Sequence, residues 1–199
     1  SRFSWVACVA LKSDVIGYMM TLLPKLESLY KLKIRRIRSD NGTEFKNAVM
    51  EEYCNKNGIL HEFSSPYTPQ QNGVAERKNR TLIEAARTML ADSKLPVHFW
   101  SEAIYSACYT LNRVLTVKKF GKTSYELLNC RKPNIEHLEP FGAPCTILHE
   151  GEKFGSKADD GYFLGYCSPN KRVWNCRTKV IEEKLHVDVQ RYTSTVQMT

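Results

Sequence analysis

No stretch of eighteen or more apolar residues interrupts this 199-residue chain, which gives no reason to expect a membrane-spanning helix. Its first residues, Ser1-Arg2-Phe3-Ser4-Trp5-Val6, lack the charged-then-apolar pattern of a secretory leader, and no initiator methionine is present, so the chain is expected to begin inside a longer protein. The seven cysteines, at 8, 54, 108, 130, 145, 167 and 176, never approach the C-x-x-C spacing of a redox or zinc motif. Scattered and odd in number, they fit reduced thiols of the cytosol or nucleus. His137, Cys145 and His149 lack zinc-finger spacing and read as structural, so no zinc is expected. Internal repeats and low-complexity runs are absent as well.

What is present is a basic, core-forming composition. The chain is 42% hydrophobic and carries a net charge of +8. Enough apolar residue exists for a sizeable core, and the positive excess favours a polyanionic partner, nucleic acid before anionic membrane.

Strand and helix alternate in the first part. Residues 3–11 read as a strand, and Ser13-Asp14 opens a helix over 14–30 in which Pro24 predicts a kink or break. Ile34 to Arg38 reads as a short strand that delivers Ser39-Asp40-Asn41-Gly42 at its carboxyl end. A helix over 45–57 closes on Asn57-Gly58, and 59–63 is another short strand. Residues 64–73 are a loop by composition. Helices follow over 74–90 and 96–115, the second with Trp100 as a core aromatic, and a short one over 124–129. This order predicts an α/β fold with a largely parallel sheet. Beyond Gly142 the pattern changes to closely spaced strand-like runs, 145–149, 161–166, 172–176 and 180–189, as in a small antiparallel barrel or meander. The expected organisation is a first domain over 1–136, a barrel over 137–192 and a disordered tail over 193–199.

Two carboxylates stand out. Asp40 sits at a strand end, Glu76 in the expected first turn of a helix, and thirty-five residues lie between them. Carboxylates presented by a strand end and a packed helix can converge on a divalent cation, which takes oxygen ligands, and metal ions so held can drive in-line phosphoryl displacement. Arg77, Lys78, Arg80 and Arg87 decorate the helix of Glu76 and can contact a phosphate backbone; Arg35, Arg36 and Arg38 add charge near Asp40. Gly73 gives the preceding loop freedom to approach nucleic acid closely. Each feature alone has an ordinary explanation. Asp-Asn-Gly is commonly a turn, an acid in a first helical turn is favoured by the helix dipole, and basic residues on a helix commonly form a solvated face, as Arg36 and Arg38 can on a strand.

In combination, the run Ser1-Arg-Phe-Ser-Trp-Val, the segment Arg38-Ser-Asp-Asn-Gly-Thr-Glu-Phe45 and the stretch from Ser65 to Thr81 (SPYTPQQNGVAERKNRT) resemble the integrase of copia-type retrotransposons. So do Trp100-Ser-Glu-Ala103, Leu111-Asn-Arg113, Thr123 to Leu127, Lys132-Pro133, Phe141-Gly142 and Gly161 to Tyr166, the last within the SH3-like barrel that follows the core in such polyproteins. The resemblance covers nearly the whole chain. It implies a ribonuclease-H-like core, N-terminally truncated, followed by that barrel. It also implies that Asp40 and Glu76 are the second and third members of an Asp, Asp, Glu set binding magnesium or manganese. Tyr67, Gln70, Gln71, Asn72, Gly73, Arg77, Lys78 and Arg80 would then contact DNA, both element cDNA ends and target. The family's first aspartate belongs to a run of which Ser1-Arg2 is the remainder, and Asp14 does not replace it. The implied activity of the parent is 3′-end processing and strand transfer, with this chain inactive. The implied setting is a homo-multimer in a cytoplasmic particle and then the nucleus, with no membrane. Lys153 to Lys157 departs from the family's usual Asp-Pro before the lysine. A decayed or domesticated nucleic-acid-binding remnant, and a different ribonuclease-H-like nuclease, stay open as alternatives.

Overall fold

Contacts within the chain divide it into residues 8–80 and a discontinuous unit made of 1–7 and 81–199. The structure, a computed structural model, describes residues 1–64, 69–148 and 158–190, with backbone alone at 69–72. Lys153 to Lys157, Tyr67 and the tail expected over 193–199 therefore lie outside the described residues. The boundary expected at 136/137 lies inside the discontinuous unit.

The 8–80 unit contains a β-α-β crossover. Helix α1 spans Asp14–Tyr30. Its first residue, Asp14, accepts from the backbone N–H of Leu11 at 3.2 Å, while Ser13 makes no side-chain cap. Pro24 lies inside the helix without breaking it. At the far end Lys31 turns left-handed (φ 50°) and its N–H returns to the Glu27 carbonyl. The Glu27 carboxylate then accepts from the Ile34 N–H at 2.8 Å and the Lys33 ammonium at 3.1 Å. Those bonds guide the chain into strand β1, Arg36–Ser39.

Helix α2, Ala48–Asn57, starts three residues later than expected, because Asn47 is its N-cap and accepts from the Met50 N–H. It closes at Gly58, whose φ of 64° suits a residue without Cβ. Strand β2, Leu60–Phe63, pairs parallel with β1, placing Arg36 opposite Leu60 and Ser39 opposite Phe63. The parallel sheet is this one pair among the described residues. Met50, Cys54 and Ile59 form its core, flanked by Met19, Ile34, Ile37 and Tyr53.

The strand expected over 3–11 is not one. A strand exists by ladder bonds to a neighbour, and the backbone of Ser4 spends them on a side chain. Asn112, buried on a helix, accepts from the Ser4 N–H at 3.1 Å and donates to its carbonyl at 2.8 Å.

Helix α3, Pro69–Ser93, begins five residues before the expected start at Val74, so Pro69 to Gly73 are helical rather than loop. Proline is tolerated at a first helical position, where its missing N–H has no partner to lose. Leu82, Ala86 and Leu90 recur at every fourth residue and are buried. The segment expected as one helix over 96–115 opens with a 3₁₀ turn at Val97–Phe99 before helix α4, Trp100–Val114. Phe99, Ala103, Ile104, Ala107 and Cys108 complete the core with Phe141 and Leu164, and Trp100 packs against it.

A small hairpin, β3 Thr116–Val117 with β4 Lys122–Thr123, precedes helix α5, Ser124–Asn129. This hairpin was not expected from sequence. α5 carries a reciprocal capping box between Thr123 and Glu126.

Five antiparallel strands follow: β5 Pro144–Leu148, β6 Ala158–Cys167, β7 Asn170–Asn175, β8 Val180–Lys184 and β9 Val187–Val189. Their order is β8-β7-β6-β5-β9. At Phe163 and Leu164, strand β6 is buried on both faces, although Asp160 and Tyr162 earlier in it are exposed. Phe163 packs with Cys145, Ile147, Val173 and Val189, and its neighbour Leu164 with α3 and α4. Arg172 of β7 grips Glu102 of α4 through two bonds of 2.9 and 3.0 Å. Each of these pairs lies within the discontinuous unit.

Candidate metal and nucleic-acid site

Asp40 leaves the carboxyl end of β1 as an exposed residue. Its Oδ1 accepts from the Gly42 N–H at 3.1 Å, and the carbonyl of Gly42 accepts from Phe45 and Lys46 at 3.0 and 2.9 Å. The Asp-Asn-Gly turn foreseen as the ordinary reading is thus present. It does not consume the carboxylate, which has several further lone pairs. The turn is anchored twice to the end of β2. Asn41 donates its amide to the Ser64 carbonyl at 2.8 Å, and the Ser64 N–H donates to the Ser39 carbonyl at 3.0 Å.

Glu76 is the eighth residue of α3 and exposed, not a first-turn residue. The earlier helix start removes the dipole argument for an acid at this position, since that effect fades beyond the first turn. Gly73 is helical and buried; a Cβ there would lie 2.9 Å from a guanidinium nitrogen of Arg77. Gln70, Gln71 and Asn72 belong to the first turns of α3. Arg77 and Arg80 are exposed and Lys78 half-buried. Both carboxylates and this basic cluster fall in the 8–80 unit.

Sequence reasoning missed Glu62 and His61. In the parallel register Arg38 faces Glu62, and Glu62 pairs with both Arg36 and Arg38, at 3.2 and 2.9 Å. The solvent-facing reading of those two arginines therefore holds, with their charge met by one acid. His61 stands 3.0 Å from the Ser39 hydroxyl, and burial lowers its pKa from the ordinary value. The signal for both was the register itself, which β-strand length alone does not give.

Asp40 and Glu76, both exposed carboxylates, offer oxygen alone, the donor type that a hard divalent cation takes. Among the described residues, no group of three or more histidine, cysteine, aspartate or glutamate side chains is arranged to hold a metal.

No protein-family model matches the chain. Among curated proteins it is similar to the retrovirus-related Pol polyprotein of transposon TNT 1-94 from Nicotiana tabacum. The two are 36% identical over 191 residues, covering 92% of this chain and 14% of that protein. The Pol polyprotein of transposon RE1 from Arabidopsis thaliana is 32% identical over 169 residues, 83% of this chain and 11% of its own length. Among solved structures, the HTLV-2 integrase catalytic core domain in complex with magnesium, in its trimeric form, is 24% identical. That match covers 62% of this chain and 74% of that one at a TM-score of 0.47. The chain spans a seventh or less of the length of the polyproteins it matches. Over most of its own length, therefore, the chain's homologues are retrotransposon Pol polyproteins.

Proposed function

We propose that the chain is the integrase portion that carries two carboxylates of a metal-dependent DNA-joining site, Asp40 and Glu76. The observation that carries this reading is Asp40 at the carboxyl end of a strand in a β-α-β unit, thirty-five residues before Glu76 on α3, in a chain akin to retrotransposon Pol polyproteins. Residues 1–136 then correspond to the core and 137–192 to the appended barrel. The intact protein trims element cDNA 3′ ends and joins them to target DNA in the nucleus, as a multimer assembled in a cytoplasmic particle.

Asp40 and Glu76 would hold magnesium or manganese, which when bound polarises the phosphodiester and favours an attacking oxygen. Asn41 and Ser64 keep the Asp40 turn fixed to the sheet, so its carboxylate needs little reordering on binding. Arg77, Lys78 and Arg80 neutralise phosphates of the approaching strand, which Tyr67, Gln70, Gln71 and Asn72 would also contact.

Manganese titration followed by electron paramagnetic resonance tests the site. The wild-type polypeptide binds Mn²⁺ weakly, and Asp40→Asn and Glu76→Gln each abolish that binding while leaving the circular dichroism unchanged. Equal binding by all three proteins would refute the assignment. A non-catalytic nucleic-acid-binding role is the second reading, favoured by the net charge of +8; it expects DNA affinity indifferent to Mn²⁺ and to both substitutions.

A further inference from the structure

Four cationic side chains line one cavity that shares no residue with the carboxylate pair. Arg113 at the end of α4, Arg131 and Lys132 after α5, and Lys171 on β7 surround a space of about 400 Å³. No aspartate or glutamate lines it among the described residues. All its walls belong to the discontinuous unit.

Arg113 is the most constrained of the four. Its guanidinium lies 3.3 Å over the Tyr109 ring and 4.7 Å from that of Tyr125, and it donates to the Tyr109 carbonyl at 3.0 Å. A guanidinium has five N–H donors, so this contact leaves capacity for an oxyanion. Burial lowers its pKa, opposed by Tyr109, Tyr125, Tyr166 and Cys108, and no aspartate or glutamate among the described residues lines the cavity beside it. A partly desolvated cation without an anion is costly, and that cost falls when an anion enters.

The wall behind it is rigid. Tyr109 stacks on Tyr166, ring centres 4.2 Å apart and nearly parallel. The Tyr166 hydroxyl accepts from the Glu139 N–H at 2.8 Å and donates to the Glu139 carbonyl at 3.1 Å. Arg113 covers one face of Tyr109 and Tyr166 stacks on the ring, while Arg113 and Arg131 both lie over Tyr125. The aromatic surface is thus engaged, and the cavity suits a compact oxyanion better than a stacked base.

We propose that this cavity is an oxyanion site for a phosphate group, with Arg113 as its fixed donor and Arg131, Lys132 and Lys171 completing it. Phosphate recognition by guanidinium forks is geometrically specific, and lysines add point charge. The phosphate comes either from a nucleic-acid backbone or from a small phosphate compound, and both present the same group.

His137 reports occupancy from inside the cavity. Its Nε2 lies 2.9 Å from the Tyr109 hydroxyl, and the Tyr166 ring meets it edge-on. Burial, Arg113 and Lys171 lower its pKa, with Glu139 acting the other way. A bound phosphate offsets the positive field, so the NMR titration midpoint of His137 rises.

The experiment titrates the full chain with inorganic phosphate and, separately, with a short DNA duplex, at low salt. Phosphate saturates, raises the His137 midpoint and binds at least about tenfold more weakly to an R131Q/K132Q/K171Q variant, the loss that even one of its three charge-assisted contacts would bring. Those side chains lie at or near the surface, and circular dichroism verifies that the variant folds. D40N/E76Q leaves phosphate binding unchanged, so failure of the metal site and failure of this one are distinguishable. If DNA reproduces the His137 change and competes with phosphate, the ligand is a nucleic-acid backbone. If it does neither while phosphate binds, the ligand is a small phosphate compound. A His137 midpoint unmoved by phosphate, or undiminished binding by the triple variant, overturns the proposal.

Discussion

At the residue scale, backbone geometry and burial decide outcomes more than residue type. Gly142 has φ 75°, and a Cβ on it would meet the Ser93 Cβ at 2.2 Å. A Cβ is fixed to its own backbone, so this one cannot yield unless the end of α3 that carries Ser93 moves with it. Gly142→Ala therefore costs about 2–4 kcal/mol, strain and overpacking together, read as a lowered urea midpoint. Thiol reactivity separates in the same way. Burial pushes the Cys145 thiol up to about 12, whereas Cys130 is exposed. Iodoacetamide at pH 8 labels Cys130 and spares Cys145 in the folded chain, and mass spectrometry of the alkylated peptides checks it. The same shift sets a pH dependence. A raised thiol pKa stabilises the fold fully below the ordinary value of 9.0, and that contribution is lost as pH rises towards 12.

At the element scale, capping chemistry and one ion pair carry the testable content. The Thr123 hydroxyl accepts from the Glu126 N–H at 3.1 Å, and the Glu126 carboxylate from the Thr123 N–H at 2.8 Å. Thr123→Ala removes one half of this box and costs about 1 kcal/mol in thermal or urea unfolding. The backbone bond from Thr123 lowers the Glu126 pKa below its usual 4.5, so its contribution is present above that pH and fades as pH falls through the lowered value. The Glu102 side chain is only 7% exposed, against 32% for Arg172. Arg172→Ala strands a buried carboxylate and costs about 3 kcal/mol, whereas Glu102→Leu with Arg172→Met recovers most of that loss in the same unfolding assay. Helices were the most legible elements: α1 and α5 have the expected limits, because the apolar period of α1 and the capping box of α5 are local. The strand over 3–11 was misread because ladder partners are not local. The early start of α3 escaped because Pro69 and Gly73 read as loop residues, yet proline is accepted in a first helical turn. Asp40 was legible from its Asp-Asn-Gly run, but Glu62, which pairs with Arg36 and Arg38, was not, since register follows from the turn and crossover geometry.

At the scale of the whole molecule, charge and connectivity govern behaviour. On the proposed nucleic-acid reading, a net charge of +8 predicts a DNA affinity that falls steeply with salt. If about five phosphates are neutralised, log K drops with a slope near −4.5 against log salt, measurable by fluorescence anisotropy; a flat salt response would remove the nucleic-acid reading. Connectivity has a separate consequence, through Asn112. Its amide binds both backbone groups of Ser4 across 108 positions. During synthesis Ser4 emerges that far ahead of its partner, a delay of roughly 5–20 s at the ribosome. The 8–80 unit, whose own contacts are all in hand by then, has time to fold as the chain grows. Residues 1–7 must wait for α4, so the larger unit closes last and only after translation has passed Asn112.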